Sequence, residues 1–417
     1  MKAETKKLKI AFVVPSFPTT TETFIVNQIC NLLDMGHEVT IFAISRSENF
    51  ILHQNHLVYN LMAKTVYLKD FKVSKLQRYF YFLAFLLRNR TNIDFRKLGK
   101  MFNYKRHGKK AFNLRNFTKY RWILNLGKFD IFHAHFGKAG AYIADIKSFG
   151  FCANTPLVTS FHGYDIHPGY MSDYKKNYTD LFKEANLFTV NTCYTKSLLQ
   201  ELQPNVKIEL LPVGLDTQKF KKQLSSPSPT FSILFVGRLT NFKAPDLAVK
   251  IINELIRVRG HKNISLCLVG EGEMRDHLTE LIAQFDLQEY VEMKGAISQE
   301  EIIKLMAVSK LFLLPGIYDQ HGRAETQGLV IQEAQAMELP VVVSNAGGMK
   351  YGLLDGETGF VIEEGNIEGY VDKIESLIKD EGLRKQMGQK GRRFVVDNYD
   401  SKVLGNKLQE FYSSLLS

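Results

Sequence analysis

LKIAFVVP (residues 8–15), TFIVNQICNLLDM (23–35) and HEVTIFAI (37–44) follow one another near the start of the chain, and their order decides the fold. The first run is apolar from Ile10 to Val14 and stops at Pro15, the pattern of a strand buried on both faces. In the second, Phe24, Val26, Ile29, Leu32 and Leu33 recur at roughly helical spacing, and Gly36 closes the run. The third is again a strand, so the three make a βαβ unit. The pattern continues outward through FDIFHAH (129–135), PLVTSFH (156–162) and LFTVN (187–191), each followed by a turn and a helical spacing. Residues 1–215 are therefore expected to form one doubly wound α/β domain.

Beyond it, DTQKFKKQLSSPSPT (216–230) carries Lys, Ser and Pro with little to bury and reads as a linker. A second α/β series occupies 231–396, with strands at FSILFVG (231–237), ISLCLVG (264–270), YVEMKG (290–295), LFLLP (311–315) and PVVVSN (340–345). The chain ends, over 397–417, in an amphipathic helix. Two large domains suit 417 residues, and no repeat of solenoid or propeller period is present.

Composition narrows the function classes. With 45% hydrophobic and 23% charged residues the chain is neither disordered nor fibrous. The N-terminal apolar run is too short for the core of a secretion signal. The longest nearly unbroken apolar stretch, Tyr79 to Leu87, would cover only ~14 Å as a helix against a hydrocarbon core of ~30 Å. Four scattered cysteines, Cys30, Cys152, Cys193 and Cys267, suggest neither a disulfide framework nor a zinc site, and a cytoplasmic location is expected. The net charge of +11 is concentrated in 69–121, which holds 16 Lys and Arg against Asp70 and Asp94. That basic, aromatic insertion fits nucleic acid, an anionic membrane surface or a solvated helical face.

Ligands of open α/β sheets collect at the carboxyl ends of strands, so the loops that follow each strand hold the candidates. In Gly237-Arg238-Leu239-Thr240-Asn241-Phe242-Lys243, the two cations can flank a diphosphate. Gly270-Glu271-Gly272 has no third glycine in register, so it speaks weakly for a nicotinamide cofactor and reads as a tight turn close to a nucleotide. In Glu325-Thr326-Gln327-Gly328-Leu329-Val330-Ile331-Gln332-Glu333, Gly328 marks a helix start. The N–H groups of Gly328, Leu329 and Val330 are then free for phosphate oxygens. Glu325 and Glu333 flank that start and can face one pocket. Asn345-Ala346-Gly347-Gly348 fits an anion-binding nest or a plain turn. In the first half, His162-Gly163-Tyr164-Asp165 can place an imidazole or a carbonyl in a cleft, and His133 and His135 share one strand face. No metal-ligand motif and no Asp-x-Asp triplet occurs, so neither metal nor cofactor is expected.

Together, the Gly-Arg-Leu element with its lysine, Glu325 and Glu333, His162 to Asp165, and Pro212-Val213-Gly214-Leu215-Asp216 before Phe220 resemble the retaining GT-B glycosyltransferases often called family 4. Ser16 to Phe24 is similar to the subgroup that assembles bacterial exopolysaccharides such as colanic acid. The resemblance implies two Rossmann-like domains facing across a cleft, with the terminal helix crossing back to the first. It implies a nucleotide-sugar donor, a UDP-sugar, bound without metal, and a saccharide or lipid-linked acceptor. Arg238 and Lys243 would hold the diphosphate, Gly328 and Leu329 its oxygens, Glu333 the ribose, and Glu325 and His162 the sugar, with Gly270 close by. Thr21, Glu22, His135 and Asp165 would serve the acceptor. The basic insertion would then dock on the inner face of the membrane. Two alternatives stay open here: a nucleotide-sugar epimerase of similar architecture, and a basic nucleic-acid-binding protein.

Overall fold

In the computed structural model the described residues are 6–19, 22–47, 54–68, 74–88, 95–103, 112, 114, 116, 117, 128–222 and 229–417. Thr21 and much of the basic insertion lie outside them. Two all-parallel sheets are present. The first contains β1 (Lys9–Phe17), β2 (Glu38–Arg46), β3 (Thr65–Tyr67), β4 (Ile131–His135), β5 (Leu157–Phe161), β6 (Leu187–Val190) and β7 (Ile208–Leu210) in the order β3-β2-β1-β4-β5-β6-β7. The second contains β8 (Phe231–Val236), β9 (Ile264–Val269), β10 (Val291–Gly295), β11 (Leu311–Leu314), β12 (Val341–Ser344) and β13 (Gly359–Ile362) in the order β10-β9-β8-β11-β12-β13. Every residue of β4, β5, β6, β11 and β12 is buried, which is why these strands read as largely apolar runs.

Three strands, β3, β7 and β13, are absent from the sequence reading. Each has three or four residues, lies at a sheet edge and pairs with one neighbour, so it carries too little pattern to be seen. β1 also runs past Pro15, where the sequence reading stops it. Its ladder with β4 ends at Val13 while that with β2 continues to Phe17, so the missing proline N–H costs no bond on the β4 side.

Residues 216–222 are not a loose linker. Leu215 and Phe220, each 2% exposed, belong to the core of the second domain, and Arg392 donates to the carbonyls of Thr217, Phe220 and Ala336. The chain crosses back at Asp400: Leu215 N–H donates to Tyr399 O at 3.0 Å and Ser401 N–H to Leu215 O at 2.9 Å. From there the helix Ser401–Leu416 buries Leu404, Leu408 and Tyr412 with Ile25, Val26 and Ile29 of the helix Thr23–Asp34. A fully buried Leu contributes about 1.5–3 kcal/mol, so this helix belongs energetically to the first domain. The two crossings therefore lie side by side.

The order of strands reverses between β1 and β4 in one sheet and between β8 and β11 in the other. Ligand crevices open at such switch points. The loops after β8 and β11 hold Arg238, Lys243, Glu325 and Gly328, the loop after β5 holds His162 and Asp165, and a cleft between the domains is where these loops meet.

Candidate active site

After β8 the chain turns at Gly237 and runs through Arg238 into the short 3-10 turn Asn241–Lys243. A Cβ on Gly270 would overlap Gly237 O, and one on Gly272 would overlap Leu239 O. These glycines therefore serve to pack two loops together, and Gly270 lines neither of the cavities described below. Lys243 reaches the loop after β11, where its Nζ lies 2.6 Å from Glu325 Oε2. The other carboxylate oxygen of Glu325 accepts from the N–H groups of Thr326 and Gly328, both at 3.1 Å. Burial alone would push this carboxyl up, but the Lys243 charge and the surrounding N–H donors outweigh it and hold it below the ordinary value. Arg238 is exposed and has no ion pair among the described residues.

Gly328 adopts φ +73° and caps the helix Leu329–Ala336. Its N–H is taken by Glu325, so of the three expected phosphate donors only those of Leu329 and Val330 stay open, as the first residues of a helix. Glu325 and Glu333 do not share one pocket. Glu325 lines a cavity of about 560 Å³ with His162, Tyr164, Arg238, Lys243 and Arg323. Glu333 lines a second, of about 400 Å³, with Leu329, Lys219, Gln299, Thr23 and Asn27. Burial raises the Glu333 carboxyl to about 7, against the pull of Lys219 and Gln299. Both volumes are of the size that holds small ligands.

The residues between the two glutamates clasp the domains together. Thr326 Oγ1 donates to His162 O at 3.0 Å, and Thr192 Oγ1 donates to Thr326 O at 2.8 Å. The Gln327 amide pairs with the Val213 backbone twice, each bond at 2.8 Å. Gly163, at φ +116°, and Gly348 are the positions that admit Thr326, because a Cβ on either would overlap it. The Gly347 and Gly348 N–H groups go to Tyr318 and to Glu325 O, so this turn serves packing and does not form an anion nest. The carbonyl of His162 is likewise occupied.

On the first domain, two predicted acceptor residues turn inward. Asp165 is 5% exposed and accepts from the N–H groups of Gly137, His162 and Gly163 at 2.7, 3.0 and 3.1 Å. Burial raises its carboxyl to about 6 in spite of those bonds. It shapes the turn that carries His162, and its burial keeps it from an acceptor. His135 is 1% exposed, beneath His162. Glu22 precedes the helix Thr23–Asp34 and accepts from Thr19 Oγ1 at 3.1 Å, with burial raising its carboxyl. Thr21 lies outside the described residues.

Two family patterns meet end to end on this chain: Glycosyltransferase Family 4 over residues 21–219 and Glycosyl transferases group 1 over 216–394. Erwinia amylovora amylovoran biosynthesis glycosyltransferase AmsK is 30% identical, over 98% of this chain and all of its own. The chain belongs to the glycosyl transferases group 1 family. A putative colanic acid biosynthesis glycosyltransferase of Escherichia coli K12 is 26% identical over 98% of this chain and all of its own. The fold agrees with that of Anabaena HepE, solved in complex with UDP, at a TM-score of 0.72 and 16% identity over 98% of this chain and 100% of HepE. As a member of this family the chain is a glycosyltransferase of GT-B architecture.

Some residues of the cleft went unread in the sequence. Thr326 and Gln327 look like spacers between two glutamates until their partners in the other domain are known. Lys219 and Gln299 beside Glu333 are polar residues of unremarkable context, although Gln299 follows the carboxyl end of β10. Tyr164, Tyr170, Tyr174 and Tyr194 wall the larger cavity from the first domain, and no spacing announces them.

Proposed function

We propose that the chain transfers a sugar from a UDP-sugar to a saccharide or lipid-linked saccharide acceptor of cell-surface polysaccharide synthesis, with retention of anomeric configuration and without metal. The observation that carries this reading is the convergence of Arg238, Lys243, Glu325 and His162 on one cavity, with Glu325 bonded to the Gly328 N–H just ahead of the helix start at Leu329. Arg238 and Lys243 face the departing diphosphate from one side, and the N–H groups of Leu329 and Val330 from the other. The bond from the anomeric carbon to phosphate oxygen breaks, and the acceptor oxygen bonds that carbon on the same face. The departing phosphate oxygen takes the acceptor proton, so no dedicated base is needed. Two side-chain cations and a helix start supply the neutralisation otherwise drawn from a divalent ion. The curated relatives named for amylovoran and colanic acid synthesis support the polymer class, and the UDP in HepE supports the base.

Glu333 is assigned to the ribose hydroxyls and Glu325 with His162 to the sugar. Thermal melts with UDP- and GDP-sugars test this reading, because a ligand at 100 times its Kd adds about 2.7 kcal/mol to folding stability. A melting rise with at least one nucleotide sugar is expected, and none with any would overturn the donor assignment. Titration of the same complex reads Glu333. Its carboxyl is raised to about 7, so the charged form that accepts ribose hydroxyls dominates above that pH and is lost below it. Donor affinity should therefore fall as pH drops through 7, and Glu333→Gln should bind weakly at all pH with no such step.

The helix Lys75–Arg88 supports docking on an anionic bilayer. Its Phe82, Phe85 and Leu86 pack on the first domain, yet Leu76, Phe80, Leu83 and Leu87 are 82, 70, 56 and 67% exposed, with Lys75, Arg78 and Arg88 alongside. No helix among the described residues is long and apolar enough to cross a membrane. Basic residues near such a surface contribute about 1 kcal/mol each, and the exposed apolar face adds insertion. Co-sedimentation with phosphatidylserine-containing vesicles, weakened by Leu83→Glu, is the expected result. Equal recovery with neutral vesicles would remove the electrostatic part.

A further inference from the structure

The larger cavity has two walls of different chemistry. Its second-domain wall carries Arg238, Lys243, Arg323 and Glu325, whereas the first domain contributes Tyr164, Tyr170, Tyr174 and Tyr194. One exposed tyrosine on a surface is ordinary, but four that line one cavity form the kind of apolar patch that marks a ligand groove. Two of these rings are largely open, Tyr164 at 64% exposure and Tyr170 at 54%.

The open rings are firmly mounted. Tyr164 sits between Gly163 and Asp165, in the turn that the Asp165 carboxylate pins through the N–H groups of Gly137, His162 and Gly163. Its ring rests on the buried Phe136, with centroids 4.5 Å apart and planes 34° from parallel. Tyr174 lies on the buried Tyr178 at 5.4 Å and 10°, and the Tyr178 hydroxyl donates to Asp165 O at 3.0 Å. Tyr170 meets His167 edge-on at 4.9 Å. A ligand that covers rings braced in this way loses little affinity to ordering them.

Glu22 stands beside this wall. Burial raises the Tyr164 phenol and the charge of Glu22 adds to the rise, so the carboxylate lies close to that ring. Among the described residues its side chain accepts one hydrogen bond, from Thr19 to Oε2. An aromatic face with a neighbouring carboxylate suits a pyranose, which presents C–H groups on its faces and hydroxyls around its edge. The nucleoside belongs elsewhere, because Glu333, assigned to the ribose, opens on the other cavity. The donor sugar enters the larger cavity at Glu325 and His162, which leaves the tyrosine wall to a second sugar.

We infer that Tyr164 and Tyr170 form the platform on which the acceptor sugar stacks, with Glu22 taking its hydroxyls. The word acceptor rests on the donor reading above; the pyranose platform itself does not.

Saturation-transfer NMR of the full chain, with and without UDP, tests the platform with the methyl α-pyranosides of glucose, galactose and mannose as probes. Irradiation of the aromatic protons is expected to saturate the C–H protons on one face of at least one pyranoside. Tyr164→Ala should weaken that binding at least about 10-fold, the loss expected when the apolar cover of one ring is removed. Tyr164→Phe keeps the ring and should stay near wild type, and Glu22→Gln should weaken binding while the saturated face stays the same. No saturation of any pyranoside by the wild type, or equal saturation in Tyr164→Ala, overturns the inference. If thermal melts show Tyr164→Ala unfolded, Tyr170→Ala, on a separate element, is read in the same way. UDP affinity is measured on the same samples. A chain that binds a pyranoside but no UDP fails the donor reading and keeps the platform, and one that binds UDP but no pyranoside does the reverse.

Discussion

Lys243→Ala is expected to lower the rate of sugar transfer by about 10²–10³-fold, the usual cost of removing one preorganised donor from a site of developing charge. Two effects combine. The departing diphosphate loses a cation, and Glu325 loses the partner at 2.6 Å that offsets its burial. With Lys243 present the Glu325 carboxyl lies below its ordinary value, so the pair stabilises the fold above the unfolded carboxylate range and stops doing so as pH falls through the folded value. Without Lys243, burial dominates and pushes the carboxyl up. Breaking a buried pair by removing one member costs up to about 3–5 kcal/mol, which a thermal melt reads directly. The double variant Lys243→Met with Glu325→Gln separates the two effects. Stability should return, because no charge is left buried, while transfer should not. Recovery of turnover in the double variant would mean that neither the Lys243 cation nor the Glu325 carboxylate is needed for transfer.

Gly163→Ala is expected to be nearly as damaging, by a different route. Gly163 holds φ +116°, outside the range that residues with a side chain adopt, and its added Cβ would meet Thr326 in the other domain. The clasp of Thr326 with His162 and Thr192 would have to open, drawing Glu325 and Lys243 away from His162. A loss of about 10²-fold in turnover follows from a displacement of about 1 Å at the reacting groups. Thr326→Ala in the same chain takes away the two nearest atoms but leaves the residue 326 Cβ 2.8 Å from the added one and keeps the backbone strain, so it should recover part of the activity. A single Thr326→Ala should cost less than Gly163→Ala. Full activity in Gly163→Ala would show that the clasp is dispensable.

Much of the fold was legible because parallel strands buried on both faces announce themselves as apolar runs, and the loops after them are where a cleft must open. Arg238, Lys243 and Glu325 were found this way and converge. What stayed hidden depends on partners distant in sequence. Asp165 reads as an exposed acidic residue until Gly137 supplies an N–H to it, and His135 until His162 covers it. Phe220 reads as part of a lysine-rich linker because its neighbours are polar, although it is a core residue. Glu325 and Glu333 separate into two cavities because the chain between them turns at Gly328 before the helix begins, and no spacing encodes that turn. Thr326 and Gln327 carry their meaning only in the assembled pair of domains.

The central claim is that the cleft releases a diphosphate and receives an acceptor on one face of the sugar, with charge handled by Arg238, Lys243 and the helix start at Leu329. Its most direct test is the anomeric configuration of the product formed from a UDP-α-sugar in excess EDTA, read from the 1H coupling of the new anomeric proton. An α-linked product at undiminished rate in EDTA is the result predicted. A β-linked product, or no product until manganese is restored, would contradict it.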